Sequence, residues 1–321
     1  MEHLLGFDIG GTKTEVSLFA LGGGDGEFKV STSSGRSDLK VIASKRMPTA
    51  RDEGYEPYLK NLLDLISSVT NEASIKIEDL KGMGLGLPGS VHPESGKMLN
   101  GNTHMMIGKD VAGDLREALN FKTPIAVNND ASCFALAEAL CGAGLKYETD
   151  HGLPVSKQQS IGIILGTGCG GGLINAGRIL NGGKGGGGEI GHTTLITDGH
   201  PCYCGRLGCA ELYLAGPAFE KNMPGKKATE IFELATKEDP AALAVVNDYR
   251  QKLCDFLINL NNFYDPHFIV LGGGVSKQEL IYKDLEENLG KKMFVSGKVP
   301  NVYQHQLSDS AGVLGAAIMV L

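Results

Sequence analysis

Apolar residues along this chain form short runs that alternate with longer stretches of helical spacing. Short runs predict strands, and apolar positions three and four residues apart predict helices, because they line one helical face. The predicted strands are residues 4–9, 16–21, 41–43, 82–87, 124–127, 160–165, 173–175 and 268–271. The predicted helices are residues 57–72, 111–119, 131–141, 240–264 and 311–320. This alternation predicts an α/β protein whose sheets are covered by helices.

Two polar segments interrupt the pattern. Residues 22–38 are rich in glycine and serine and predict a mobile loop, with a hairpin extension as the alternative. Residues 144–159 are polar and contain a proline, so we expect a surface insertion there.

Three predicted strands end in glycine-rich turns. They read Asp8-Ile9-Gly10-Gly11-Thr12-Lys13, Leu165-Gly166-Thr167-Gly168 and Gly272-Gly273-Gly274-Val275. Backbone N–H groups in such turns are unobstructed by side chains and suit phosphate oxygens. A single turn of this kind is more typical of a plain hairpin, and none matches a P-loop or a dinucleotide-binding fingerprint. Their joint occurrence favours a phosphate-binding function.

One imidazole and three thiols lie close together in the second half of the chain. His192, Cys202, Cys204 and Cys209 form a complete tetrahedral ligand set for structural zinc. His200 is an alternative fourth ligand. Ordinary buried cysteines and a disulfide are the other interpretations, but three cysteines with glycines between them are poor core patterning. The carboxylates of Glu189 and Glu211 flank the set, so a bound metal would hold both in place.

Asn129 and Asp130 follow a predicted strand and precede a predicted helix. The ends of strands are where α/β folds place catalytic groups. Asp130 could equally serve only as a helix cap. The two functions are compatible, because a helix N-terminus favours the ionised carboxylate that a general base requires.

Length and composition limit the classes of protein. With 321 residues the chain can form two domains, which we place at residues 1–128, completed by helix 311–321, and at residues 129–310 with the metal site. The net charge of −7 does not suggest a nucleic-acid partner. The seven cysteines fit a reducing cytoplasm, and we expect no signal peptide and no membrane span.

Taken together, the motifs resemble the ROK family of bacterial sugar kinases and sugar-responsive repressors. The resemblance rests on the glycine turns, on Gly-Leu-Pro-Gly at 86–89, on Asn-Asp at 129–130, on Glu-Ile-Gly-His at 189–192 and on the cysteine motif at 202–211. It implies an actin-like, ribonuclease-H-like two-domain fold with ATP in the interdomain cleft. It also implies phosphorylation of a hexose at the 6-hydroxyl, Mg²⁺ as cofactor, structural zinc, and a homodimer.

The resemblance further implies roles for individual residues. Asp130 resembles the general base. The residues that resemble hexose ligands are Gly89, Asn102, Asn129, Glu189, His192 and Glu211. The residues that resemble ATP and Mg²⁺ ligands are Asp8, Gly10, Gly11, Thr12, Lys13, Gly166, Thr167, Gly168, Gly273 and Gly274. His192 would bind zinc through one ring nitrogen and the sugar through the other.

Two other functions are alternatives to a kinase. Repressors of the family carry an added N-terminal DNA-binding domain, for which we expect no room before Asp8. A sugar-binding protein without catalysis is disfavoured by the presence of Asp130 and all three glycine turns. N-acetylglucosamine and glucose are the favoured sugars.

Overall fold

Two sheets with flanking helices form this protein, for which we analysed a computed structural model that describes residues 2–22, 26–32, 35–49, 51–101, 103–295, 297 and 299–321. The strands are β1 (Glu2–Ile9), β2 (Lys13–Leu21), β3 (Phe28–Thr32), β4 (Gly35–Pro48), β5 (Leu80–Leu87), β6 (Ile125–Asn129), β7 (Gln159–Leu165), β8 (Cys169–Asn175), β9 (Arg178–Ile179), β10 (Phe268–Gly272) and β11 (Asn301–Gln304). The helices are α1 (Tyr55–Ala73), α2 (Val111–Leu119), α3 (Asp130–Cys141), α4 (Ala143–His151), α5 (Glu211–Leu214), α6 (Pro217–Asn222), α7 (Ala228–Thr236), α8 (Pro240–Tyr264), α9 (Leu285–Lys292) and α10 (Ala311–Ile318).

The chain folds into two compact units. The first unit comprises residues 1–157, 172–187 and 307–321, and the second comprises residues 158–171 and 188–306. The C-terminal helix α10 belongs to the first unit. The domain boundary between residues 128 and 129 stays a prediction.

The first sheet has the strand order β3-β4-β2-β1-β5-β6. Strands β1 and β2 form an antiparallel hairpin, whereas β1, β5 and β6 run parallel to one another. The strands β1 and β5 are apolar over most of their length, as expected for strands covered on both faces. The carboxyl ends of the three parallel strands lie at one edge of this sheet.

Helix α10 packs directly on the first sheet. Its sequence is almost entirely small and apolar, and glycines in the strands beneath it permit a close approach. A Cβ atom on Gly84 would lie 1.8 Å from the carbonyl oxygen of Ala316, and one on Gly6 would lie 2.2 Å from that of Val313. Small residues on both surfaces thus bring the start of α10 close to the end of β1.

The second sheet has the strand order β11-β10-β7-β8-β9. Strand β10 runs parallel to both β7 and β11, so β7 and β10 also end at a common edge. The 25-residue helix α8 begins with Pro240 after Asp239, whose side chain accepts a hydrogen bond from the Ala242 N–H. A proline in the first turn and an aspartate cap are typical helix-start residues.

Most predicted elements are confirmed, and three regions differ. The described part of residues 22–38 contains strand β3 paired with an extended β4, so the hairpin alternative was right and the mobile loop was wrong. Residues 144–159 are not merely a surface insertion, because α4 occupies the first half of the segment. The strand predicted at residues 173–175 begins earlier, because β8 also includes residues 169–172.

Among the described residues, no helix combines the length and the apolar character needed to cross a bilayer.

Candidate active site

The common edge of β1, β5 and β6 brings two predicted carboxylates of the first unit together. Asp8 lies opposite Gly86 in the parallel register of β1 and β5. A Cβ atom on Gly86 would lie 3.5 Å from the Cα atom of Asp130 and 3.3 Å from the sulfur of Cys133. Burial raises the pKa of the Cys133 thiol, and the charges of Asp8 and Asp130 raise it further. Asp8 and Asp130 are thus both close enough to the buried Cys133 thiol to raise its pKa.

Asn129 and Asp130 mark the start of helix α3. The Asn129 side-chain oxygen accepts hydrogen bonds from the N–H groups of Ala131 at 2.9 Å and Ser132 at 3.4 Å. Asn129 is therefore the cap, and Asp130 is the first helical residue, with its own oxygen 2.8 Å from the Ala131 nitrogen. The positive end of the helix favours the ionised form of this carboxylate.

Asp8 is half-buried at the end of β1. The pKa of Asp8 is raised to about 6, chiefly by burial and also by the charge of Glu15, its partner on β2, while Lys13 and Arg46 act in the opposite direction. A Cβ atom on Gly312, in the first turn of α10, would lie 2.9 Å from an Asp8 carboxylate oxygen. A larger residue at this position would force the Asp8 carboxylate to shift.

The first glycine turn, residues 10–12, connects β1 to β2. Gly10 N–H donates to the Lys13 carbonyl at 2.9 Å, and Ile9 pairs with Thr14 at the base of the hairpin. Thr12 and Lys13 are exposed. The turn thus presents backbone N–H groups and one hydroxyl at the same edge as Asp8 and Asp130.

The segment after β5 contains two of the predicted sugar ligands. Gly89 packs so closely on the following loop that a Cβ atom would lie 1.9 Å from the Asn100 carbonyl oxygen. The Asn100 side chain accepts a hydrogen bond from Ser90 N–H at 3.1 Å, which fixes this loop. Asn102 lies outside the described residues.

The second unit brings the other two glycine turns together. Strand β7 ends at the turn formed by residues 166–168, and β10 ends just before Gly273. Gly273 has a φ of 81°, and a Cβ atom there would lie 2.5 Å from the Leu165 carbonyl oxygen. A left-handed residue pressed against a neighbouring backbone requires glycine. The Gly166 carbonyl accepts the Gly216 N–H at 2.7 Å, which ties this turn to the segment before α6.

Glu211 and the segment of Glu189 both approach the start of β8. Glu211 Oε2 accepts a hydrogen bond from the Cys169 N–H at 3.0 Å. Gly191 lies so close to the same residue that a Cβ atom would be 1.8 Å from the Cys169 carbonyl oxygen. Glu211 and the segment that follows Glu189 are thus both packed against Cys169.

A potential metal centre lies beside these carboxylates. The ligand atoms of His192, Cys202, Cys204 and Cys209 all lie within 4.8 Å of one another. The Cys202 sulfur is 3.6 Å from His192 Nδ1, and the sulfurs of Cys204 and Cys209 are 3.5 Å apart. Two ligands at tetrahedral angles and ordinary Zn–S and Zn–N lengths are separated by about 3.5–3.8 Å. The residues present therefore fit a tetrahedral zinc ion.

The geometry of this cluster bears on two alternatives, a disulfide and His200 as the fourth ligand. All seven cysteines are free thiols, which removes the disulfide interpretation. His200 stacks on Tyr213 with ring centroids 5.8 Å apart and is not part of the cluster. Burial of its sulfur would raise the pKa of Cys204, but hydrogen bonds from the Arg206 backbone and the other two thiols lower it overall. A thiol that ionises readily is a good metal ligand.

Two glycines shape the cysteine loop. Gly205 and Gly208 have φ values of 88° and 69°. At Gly208 a Cβ atom would also lie 1.7 Å from the Ile196 carbonyl oxygen. The glycines between the cysteines are thus required by the backbone.

Tyr203 is a neighbour of the metal cluster that the sequence did not suggest. Its hydroxyl lies 3.0 Å from His192 Nε2, and the two rings meet edge to face. Nδ1 therefore faces the thiols while Nε2 faces a hydroxyl group. No spacing or motif in the sequence indicates this contact, because a tyrosine in a loop need not contact a histidine.

Comparisons with known proteins are consistent with this arrangement. The sequence profile of the ROK family matches residues 4–321. The chain is 33% identical to an N-acetyl-D-glucosamine kinase from Aliivibrio fischeri, over 98% of each protein.

Solved structures of ROK proteins have a fold similar to that of this chain. The ROK hexokinase from Thermus thermophilus is 28% identical, with a TM-score of 0.76 over 98% of this chain and 97% of that one. A ROK glucokinase from Streptomyces griseus, solved with glucose and AMPPNP, is 23% identical, with a TM-score of 0.73 over 99% and 98% of the two chains. The predicted actin-like α/β fold is confirmed by these likenesses. Matched over almost its whole length by the family profile, the chain belongs to the ROK family.

Proposed function

We propose that this protein is an ATP-dependent hexose kinase that phosphorylates the sugar 6-hydroxyl. The observation that carries the proposal is the common edge of β1, β5 and β6, where Asp130 at a helix N-terminus adjoins Asp8 and an exposed glycine turn. A base, a carboxylate for a hydrated cation, and backbone donors for phosphate are the groups that phosphoryl transfer requires.

In the first unit, Asp130 acts as the general base. It orients the sugar 6-hydroxyl for in-line attack on the γ-phosphorus and accepts its proton as the new P–O bond forms, while the bond from the γ-phosphorus to the bridging oxygen breaks and ADP leaves. Asn129 uses its side-chain oxygen as a cap, which leaves its NH₂ group for a sugar hydroxyl. Asn102 and Gly89 are proposed to contact the sugar as well.

The phosphates are held by backbone groups. Gly10, Gly11, Thr12 and Lys13 in the first unit, and Gly166, Thr167, Gly168, Gly273 and Gly274 in the second, are proposed to bind ATP. Asp8 would hold the hydrated Mg²⁺, which would neutralise phosphate charge.

In the second unit, Glu189, His192 and Glu211 are proposed to bind sugar hydroxyls. Zinc on His192 and the three cysteines would be structural, because four protein ligands leave no open position. His192 Nδ1 faces the thiols, so the metal would set the tautomer with the proton on Nε2. That N–H can then donate either to Tyr203 or to a sugar hydroxyl.

N-acetylglucosamine is the proposed sugar, with glucose second. The support is the 33% identity to an N-acetyl-D-glucosamine kinase over nearly the full chain. A homodimer in the cytoplasm is proposed from the family resemblance and the cysteine usage.

Purified protein incubated with Mg-ATP and a panel of hexoses tests the proposal through ADP release and phosphorus NMR of the product. We expect a 6-phosphate and the highest kcat/KM with N-acetylglucosamine. Sugar binding without ADP release would instead support a non-catalytic sugar-binding protein or regulator. ADP release with glucose alone would correct the sugar but leave the kinase proposal standing.

A further inference from the structure

The first glycine turn is held from its inner side by Thr49, a buried residue directly after β4. Thr49 Oγ1 donates a hydrogen bond to the Gly10 carbonyl at 2.6 Å. Its backbone N–H donates to the Thr12 carbonyl at 3.0 Å. We propose that Thr49 is a positioning residue that aims the N–H groups of this turn at the phosphates of ATP. The proposal rests on the proposed kinase function.

Peptide geometry explains how a contact on one side of the turn acts on the other. In a trans peptide, the carbonyl group and the following N–H point in opposite directions. Every described peptide bond is trans. Holding the Gly10 carbonyl toward Thr49 therefore directs the Gly11 N–H away from Thr49. Holding the Thr12 carbonyl directs the Lys13 N–H in the same way.

Thr49 also replaces the hydrogen bond that would close an ordinary β-turn. In such a turn the Gly10 carbonyl would accept the Lys13 N–H. Here the described residues 11 and 12 bend without that bond, and the Gly10 carbonyl accepts the Thr49 hydroxyl. A carbonyl satisfied by Thr49 no longer competes with a phosphate oxygen for the Lys13 N–H. The turn is thus preorganised for an anion.

A chain of buried hydroxyls fixes the direction of the Thr49 bond. Each hydroxyl has one proton, and that of Thr49 goes to Gly10. Thr14, at 3.2 Å, must then donate to Thr49, and Tyr58, at 3.0 Å, must donate to Thr14. Thr14 and Thr49 are fully buried, and burial raises the pKa of Tyr58, so its phenol keeps the proton. Hydrogen bonds in series strengthen one another in a buried setting.

Replacement of Thr49 by valine removes the hydroxyl at nearly constant volume. For Thr49→Val we expect a KM for ATP about tenfold above wild type. The reason is that the buried Gly10 carbonyl loses its donor and then competes with phosphate oxygens for the Lys13 N–H. The KM for the sugar should stay within about twofold, because neither partner of the hydroxyl, the Gly10 carbonyl nor Thr14, is proposed to bind the sugar. Thr49→Ser, which keeps the hydroxyl, should restore the KM for ATP.

Thr70→Val is the matched control, because the Thr70 hydroxyl is buried in the same unit but bonds carbonyls of its own helix α1. It should leave the KM for ATP unchanged. An unchanged KM in Thr49→Val, or an equal rise in Thr70→Val, would overturn the proposal. If Thr49→Val does not fold, Thr14→Val is the deciding variant. We expect its KM for ATP to rise about two- to fivefold, and an unchanged KM would contradict the proposal. A wild-type protein that binds no Mg-ATP would instead refute the proposed function.

Discussion

Glu211 and Cys169 are joined by a hydrogen bond of 3.0 Å from the Cys169 N–H to Glu211 Oε2. The carboxylate follows the cysteines of the candidate metal centre, and the N–H follows the second glycine turn. A residue assigned to sugar binding therefore also supports a turn assigned to phosphate binding. One side chain of the second unit can affect both substrates.

Two substitutions separate these roles of Glu211. Glu211→Gln keeps an acceptor for the Cys169 N–H but loses the charge, so we expect weaker sugar binding and nearly unchanged ATP binding. Glu211→Ala loses both and leaves the Cys169 N–H without its partner, so the KM for ATP should rise as well. Titrations with the sugar and with AMPPNP measure the two effects. Equal losses of ATP affinity in both variants would show that the hydrogen bond from the Cys169 N–H to Glu211 does not determine ATP affinity.

Asp130→Asn should retain sugar binding but lose turnover. The amide keeps an acceptor at the start of α3 but cannot take the hydroxyl proton, and general-base losses run to about 10²–10⁴-fold. Asp110→Asn is the matched control, because Asp110 caps α2 in the same unit and asparagine is an equally good cap. A kcat for Asp130→Asn within a few fold of wild type would remove Asp130 from the chemical step.

Cys204→Ser should release the metal and weaken sugar binding while ATP binding survives. The reason is that Glu189, His192 and Glu211 all border the cysteine loop, whereas the hydrogen bond from the Cys169 N–H to Glu211, which supports the second ATP turn, involves neither Cys204 nor the metal. Loss of metal support typically costs about 10–100-fold in affinity or activity. Metal analysis and sugar titration measure this, with Cys254→Ser on α8 as a control outside the cluster. Normal sugar affinity in a metal-free variant would make the metal a structural element only.

Asp8→Asn should stabilise the ligand-free protein at neutral pH and abolish activity. The folded pKa of Asp8 is about 6, above its value in the unfolded chain, so the folded state binds the proton more tightly. That stabilisation is complete below about pH 4 and is lost as the pH rises toward 6. Above pH 6 the ionised carboxylate costs roughly 1–3 kcal/mol, which asparagine avoids.

Thermal melting between pH 4 and 8 checks this prediction. The melting temperature of Asp8→Asn should exceed that of wild type at pH 8, and the difference should vanish toward pH 4. Asp64→Asn, on the exposed face of α1, should show no such trend. A constant difference across the pH range would mean that the charge of Asp8 is not the cause.

The fold and much of the candidate site could be predicted from local sequence patterns. Helices α2 and α8 have the predicted bounds, because their apolar spacing and start residues lie within or directly beside the helices themselves. The members of the candidate metal centre could be predicted because one imidazole and three thiols with interspersed glycines are typical of a zinc site. The polarity of residues 144–159, in contrast, concealed helix α4, whose exposed face carries the charges.

Contacts between residues far apart in sequence were decided only by the tertiary structure. Thr49 reaches Gly10 across 39 positions, and Glu211 reaches Cys169 across 42. No periodicity encodes such pairs, since they depend on strand register and on how closely a helix or loop can approach. Sequence alone therefore determined which groups are available for phosphate, sugar and metal. The packed backbone decided how they are aimed, because hydrogen-bond direction is set by neighbours that only folding brings into contact.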